Sequence, residues 1–142
     1  MKDVAILCDI DGTIALRGDR SPHDHDASME DAVNKPVVKL VEALMDAVEA
    51  DTLIILSGRD EKYWDVTQYW LRTHGLFIAH PWILMMRPRG DNRPDEIVKR
   101  ELYEKQIKTK FDVLCVFDDR NKVVKMWREL GLLCLQVAEG DF

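Results

Sequence analysis

Two kinds of apolar patterning alternate along this chain, and no other feature constrains its fold as strongly. Five short continuous runs stand out: Val4–Cys8, Thr52–Leu56, Ile83–Met86, Val113–Phe117 and Leu132–Val137. Runs of this length fit strands buried on both faces of a sheet. Between them, apolar residues recur every three or four positions, the spacing of amphipathic helices. Val37, Leu40, Val41, Leu44 and Val48 mark a first helix behind a cap at Asn34. Glu61 to His74 is a second, closed by Gly75. Asp95 to about Phe111 is a third, and Asn121 to Leu130, followed by Gly131, a fourth.

Strands alternating with helices imply parallel pairing through crossovers, hence an α/β three-layer sandwich around a five-stranded, mainly parallel sheet. Residues 1–142 read as one such domain, with 46% apolar residues for a core and 32% charged residues for a solvated surface. The net charge of −6 opposes a broad, non-specific grip on nucleic acid but not a small local phosphate site. Val4–Cys8 is stopped by Asp9 and is too short for a signal core or a span, so no membrane association is expected. Cys8, Cys115 and Cys134 form no CxxC pair and lie in apolar stretches. That points to a reducing, cytoplasm-like compartment and no zinc site.

In sheets of this kind ligands bind beyond the carboxyl ends of the strands. The first strand ends in Asp9-Ile10-Asp11-Gly12-Thr13, the second in Ser57-Gly58-Arg59 and the fourth in Asp118-Asp119-Arg120. Four carboxylates therefore share one rim, and hard oxygen donors crowded together suit Mg²⁺. The plainer reading, polar strand ends and an Asp-Gly turn, loses weight once Ser57, Lys99 and the Asp118–Asp119 pair are added. Thr13 to Asn34 exceeds ordinary connection lengths and reads as a functional loop. Within it, His23 and His25 are expected as solvated loop residues rather than ligands of a second metal. Trp70 and Trp127 are expected in the core.

DIDGT, a serine after the second strand, Lys99 on a helix and an Asp pair after the fourth strand together resemble the haloacid-dehalogenase-like (HAD-like) phosphohydrolases. GDRSPHD, ILSGRD, MMRPRGDNRPDEIVKRE and FDDRNKVVKMWRELGLLCLQVAEGDF resemble, more narrowly, the 3′-phosphatase domain of phage-type polynucleotide kinase/phosphatase, from about Ile6 to Phe142. The resemblance implies a Mg²⁺-dependent phosphomonoesterase acting on the 3′-phosphate of DNA or RNA ends in nucleic-acid repair. It implies Asp9 as nucleophile and Asp11 as general acid and base. Ser57 and Lys99 would hold the phosphoryl oxygens, and Arg20, Arg59 and Asp95 would contact the substrate. The metal would rest on Asp9, the Asp11 main-chain carbonyl and Asp119, with Asp118 direct or one step removed. In this sequence His23 stands where the family motif has an aromatic residue. Plainer roles for two of these residues are a surface ion pair of Arg59 with Asp60 or Glu61, and Asp95 as the cap of its helix.

Small-metabolite members of that superfamily carry a cap domain after strand one or strand three. Thr13–Asn34 and Arg87–Pro94 are too short for one, and an uncovered site admits a polymer end. Arg87, Arg89 and Arg93 crowd one loop where they could touch penultimate phosphates. No GxxxxGK[ST] loop occurs, so no 5′-kinase activity is expected of this stretch. A separate kinase or ligase is then an expected partner, in a bacterial or phage-infected cytoplasm. Two alternatives stand beside this reading: a phosphatase for small nucleotides or phosphoprotein, and a non-catalytic partner subunit of an end-repair complex.

Overall fold

A computed structural model describes residues 1–142. β1 (Asp3–Cys8), β4 (Thr52–Asp60), β5 (Trp82–Arg87), β6 (Phe111–Asp118) and β7 (Cys134–Gln136) form one sheet in the order β5-β4-β1-β6-β7. Every pair in it is parallel. From β1 the chain moves outward to β4 and β5, then returns to β6 on the other side of β1 and on to β7. Strand order thus reverses between β1 and β6, and a crevice opens there at the carboxyl ends.

Period-two alternation divides the strands between two cores. Ile6, Cys8, Leu53, Ile55 and Phe117 face α1 (Lys35–Ala47) and α2 (Trp64–Thr73), meeting Val41, Met45 and Trp70. Ala5, Leu7, Ile54, Leu56 and Val116 face α3 (Asp95–Leu102) and α4 (Asn121–Glu129), meeting Val98, Leu102, Val123 and Trp127. The three layers read from the apolar pattern are those observed. Both tryptophans are core residues, as expected.

Four local expectations need correction. β4 does not stop at Leu56; it runs through Ser57-Gly58-Arg59 to Asp60, with its register against β5 shifting between Ser57 and Asp60. Asn34 precedes α1 without capping it by side chain; its Nδ2 instead donates to the Thr13 carbonyl at 3.0 Å, pinning the two ends of the loop. The third helix ends at Leu102, and one wide turn, Tyr103–Ile107, follows before Phe111 opens β6. That wide turn keeps Tyr103 and Ile107 both in the core. The stretch from Thr13 to Asn34 is not irregular throughout. It holds a two-stranded ribbon, β2 (Ala15–Leu16) with β3 (Ala32–Val33), and a 3₁₀ turn over His25–Glu30. No folded cap covers the crevice. No helix is long and apolar enough to cross a membrane.

Candidate active site

The reversal of strand order opens into a cleft of about 700 Å³ lined by Asp9, Asp11, Lys99, Asp118 and Asp119 among others. Asp9 follows β1 directly, and its N–H continues the ladder by donating to Phe117 O at 2.9 Å. β1 and β6 are neighbours, so this bond fixes Asp9 beside Asp118 and Asp119. One carboxylate oxygen from each of the three lies within 4.8 Å of the others. Lys99, one turn into α3, reaches in from above. Its Nζ lies 2.8 Å from Asp9 Oδ1, 3.1 Å from Asp118 Oδ2 and 3.7 Å from Asp95 Oδ2. Burial disfavours the ammonium, but Asp118 and Asp9 outweigh it and hold its pKa well above the ordinary lysine value. Burial, then Asp118, push Asp9 well above the carboxylate range, with Lys99 opposing. Asp119 is raised by burial and by Asp118.

The adjacent aspartates have different surroundings. Asp118 is saturated: Oδ1 accepts from the Asp119 and Arg120 N–H groups, and Oδ2 from Lys99 and from Trp127 Nε1 at 3.3 Å. Asp119 receives only a long contact from Thr13 Oγ1, at 3.4 Å, while the same hydroxyl lies 3.0 Å from Asp9 Oδ2. Backbone makes way for the Asp119 carboxylate. A Cβ at Gly12 would stand 2.0 Å from Asp119 Oδ2, so only glycine fits there. Three converging oxygen donors, a single ammonium among them and this glycine cradle fit a hard divalent cation. Asp9 and Asp119 have donor capacity for it; Asp118 is committed to Lys99, Trp127 and the loop.

A second cluster adjoins the first. Arg59, on β4, grips Asp11 with both edges of its fork, Nε to Oδ2 at 2.8 Å and Nη2 to Oδ1 at 2.7 Å. Its Nη1 donates to Thr67 Oγ1 and Ser28 Oγ. Arg20 grips Asp31 in the same way, with two contacts of 2.7 Å, and reaches Asp11 Oδ1 at 3.3 Å. Its Nη1 is spent on the carbonyls of Ser21 and Asp24. Burial works against ionisation of Asp11, but the Arg59 fork overrides it and holds the carboxyl below the ordinary range.

Asp9, Asp11, Lys99, Asp118 and Asp119 therefore converge, whereas Arg20 is absent from the cleft lining with every N–H engaged. Arg59 lines the cleft but is 3% exposed and tied to Asp11, so the surface ion pair with Asp60 or Glu61 is not formed. Ser57 is buried in β4, its Oγ accepting from Arg59 N–H at 3.1 Å while its own proton meets no protein acceptor. Asp95 opens α3 without capping it. Its carboxylate gathers Arg87 at 3.2 Å, Lys99 and Arg120, and sits so close to Gly58 that a Cβ there would lie 1.9 Å away.

Sequence reasoning passed over Asp31, Ser28 and Thr67, which have no motif; only their burial reveals them. Two further features have surroundings that the sequence does not announce. Arg87 is an internal brace, bonded to Gly58 O, Asp91 O and Asp95, and Arg93 is tied to Asp91 and Glu101. His25 is not a solvated loop residue: it packs edge-on to Tyr63 at 5.1 Å and its Nδ1 is buried with no partner. Burial lowers its pKa. His23 is exposed, as expected.

The family model described as polynucleotide kinase PNKP phosphatase domain matches residues 3–142. The chain belongs to that family. Two solved structures superpose on it, that of the Pnkp1/Rnl/Hen1 complex (TM-score 0.90, 37% identity) and that of the Pnkp1/Rnl/Hen1 RNA repair complex (0.89, 38%). Each match takes in 99% of this chain, and 48% and 44% of the other. A protein of Autographa californica nuclear polyhedrosis virus, named "Putative bifunctional polynucleotide kinase/RNA ligase", is 35% identical over 129 residues. That match covers 90% of this chain and 18% of the viral protein, so the chain spans less than a fifth of this curated relative and about half of each structural neighbour. Fold and family together make it a HAD-type polynucleotide phosphatase domain.

Proposed function

We propose that the chain removes the 3′-phosphate from DNA or RNA ends through an aspartyl-phosphate on Asp9. The observation that carries this reading is the meeting of Asp9, Asp118 and Asp119 at the β1–β6 rim, with Lys99 buried among them. Asp9, Asp119 and the Asp11 main-chain carbonyl would hold Mg²⁺, while Asp118 positions Lys99. When bound, the ion would offset the charge of the carboxylates and of the phosphoryl group.

Asp9 attacks phosphorus, the P–O3′ bond breaks, and Asp11 delivers its proton to the departing ribose oxygen. A water then attacks the same phosphorus, Asp11 takes its proton, and Asp9 is released with inorganic phosphate. The two arginines hold Asp11 ionised in the free site, which suits the second step. The charge of an arriving phosphoryl group favours the protonated form that the first step needs. Lys99 and the free proton of Ser57 are the donors for the non-bridging oxygens, and losing one such donor commonly costs roughly 10²–10³ in rate. Arg59 and Arg20 act through Asp11, fixing its orientation.

The uncapped cleft supports a polymer end over a small metabolite, and the two complexes among the structural neighbours support a separate kinase or ligase as partner. Three buried cysteines suit a reducing cytoplasm. The test compares 3′-phosphorylated oligonucleotides, 3′-mononucleotides and an aryl phosphate, with and without Mg²⁺, for wild type and Asp9→Asn. Preferential, Mg²⁺-dependent turnover of the oligonucleotide is expected. Equal turnover of all three removes the end-repair reading, and activity persisting in Asp9→Asn removes the mechanism.

A further inference from the structure

We propose that the polynucleotide strand leaves the site along the wall formed by Arg17, Lys62, Tyr63 and His25, and not along the arginine-rich loop after β5. This inference rests on the polynucleotide reading above and extends it to the nucleotides beyond the reacting phosphate.

A neighbouring phosphate needs a cation whose charge is not already matched by a carboxylate. Arg87, Arg93 and Arg120, on the loop side of the cleft, fail that requirement. Arg87 and Arg120 contact Asp95, and Arg93 contacts Asp91 and Glu101. Arg89 does not line the cleft. Elsewhere in the lining, Arg17 and Lys62 are both exposed, and neither forms an ion pair. Lys62 is held in place by an uncharged partner, its Nζ standing 5.0 Å from the centre of the Tyr63 ring. Asp60, two residues before it, spends its oxygens on the N–H groups of Lys62 and Gly90.

The same wall supplies ring surface. Tyr63 and His25 line the cleft and pack edge-on against each other. His25 Nδ1 is shut away without a partner, and Nε2 forms no hydrogen bond to the protein either. Two cations free of ion pairs, one of them over a tyrosine ring, and a second ring beside it are the means by which proteins track single strands: charge for the backbone and ring surface for a base. The chain is acidic overall, so this wall is a local exception to its field.

The test measures kcat/KM on a 3′-phosphorylated oligonucleotide and on a 3′-mononucleotide, from about 50 to 200 mM salt. The Arg17→Ala/Lys62→Ala double variant should lower the oligonucleotide-to-mononucleotide ratio on the order of tenfold. It should also flatten the logarithmic salt dependence by about 1.4, which is two single-strand phosphate contacts. Arg89→Ala should keep both wild-type values. A misfolded double variant would lose both substrates together, so the ratio separates lost contacts from lost fold. A double variant with the wild-type ratio and slope, or an Arg89→Ala that loses them, overturns the path while leaving the polynucleotide reading intact. A wild type that shows no advantage for the oligonucleotide overturns the reading and the path with it.

Discussion

The two charged clusters at this site lie side by side and are built on opposite principles. Around Asp11, two arginines face two aspartates, each fork closes on a carboxylate, and the remaining N–H groups go to hydroxyls and carbonyls. That cluster is electrically complete. Around Asp9, three carboxylates face one ammonium, two negative charges stay unmatched, and Asp9 and Asp119 are pushed toward protonation. A folded chain retains so costly an arrangement only where something else completes it. One cluster holds a side chain still; the other has the oxygen donors and the surplus charge that suit a cation.

The largest effect that would break this contrast is on rate. Asp9→Asn should reduce phosphatase turnover by roughly four orders of magnitude or more, since the attacking oxygen is lost. Its melting temperature without divalent ions should stay near wild type, because a surplus negative charge leaves with it. A large drop in stability, read by thermal melts in EDTA, would mean that the Asp9 cluster is complete after all.

Next comes stability. Asp31→Asn removes the buried carboxylate that Arg20 grips and that Arg59 Nη2 approaches at 3.8 Å, and should cost about 3–5 kcal/mol in urea unfolding. If it cost no more than Asp119→Asn, the distinction between the clusters would collapse. A smaller effect is expected from the ion itself. Mg²⁺ at a hundredfold excess over its Kd should stabilise the wild type by about 2.7 kcal/mol. In Asp119→Asn that increment should shrink or vanish, while Asp118, already engaged by Lys99 and Trp127, should prove the wrong residue to blame.

How much of this could be read from the chain depends on whether a residue's meaning is local. Strand and helix alternation is a local periodicity, and it led to the right layers and the right rim. β4 was cut short because Ser57-Gly58-Arg59 has turn chemistry; only pairing with β5 keeps it extended. Asp118 and Asp119 are chemically the same letter twice, and their division of labour comes from Lys99, Trp127 and Gly12, which lie far away in sequence. The resemblance offers Arg20 and Arg59 as substrate contacts, and a guanidinium suits phosphate and carboxylate alike. Asp31, buried and bare of motif, is the partner of Arg20 that no local pattern announces.

The smallest expected effect sharpens the comparison by testing the burial around the Asp9 cluster. Burial raises the Cys134 thiol to about 12, with Asp118 adding to it, and raises Cys115 to about 11. Cys8, next to Asp9, is likewise raised well above the ordinary thiol value, by burial first and then by Asp9 and Asp118. Because the folded values are the higher ones, this contribution to stability is whole below the unfolded thiol pKa, near 9. It fades as pH climbs through about 11 to 12. Urea midpoints should therefore change little between neutrality and mild alkali and fall beyond it. A thiol reagent at pH 8 should label none of the three cysteines until denaturant is added. Rapid labelling of Cys8 in the folded chain would mean that the end of β1 is open to solvent, and the burial that raises the Asp9 cluster would fail at its source.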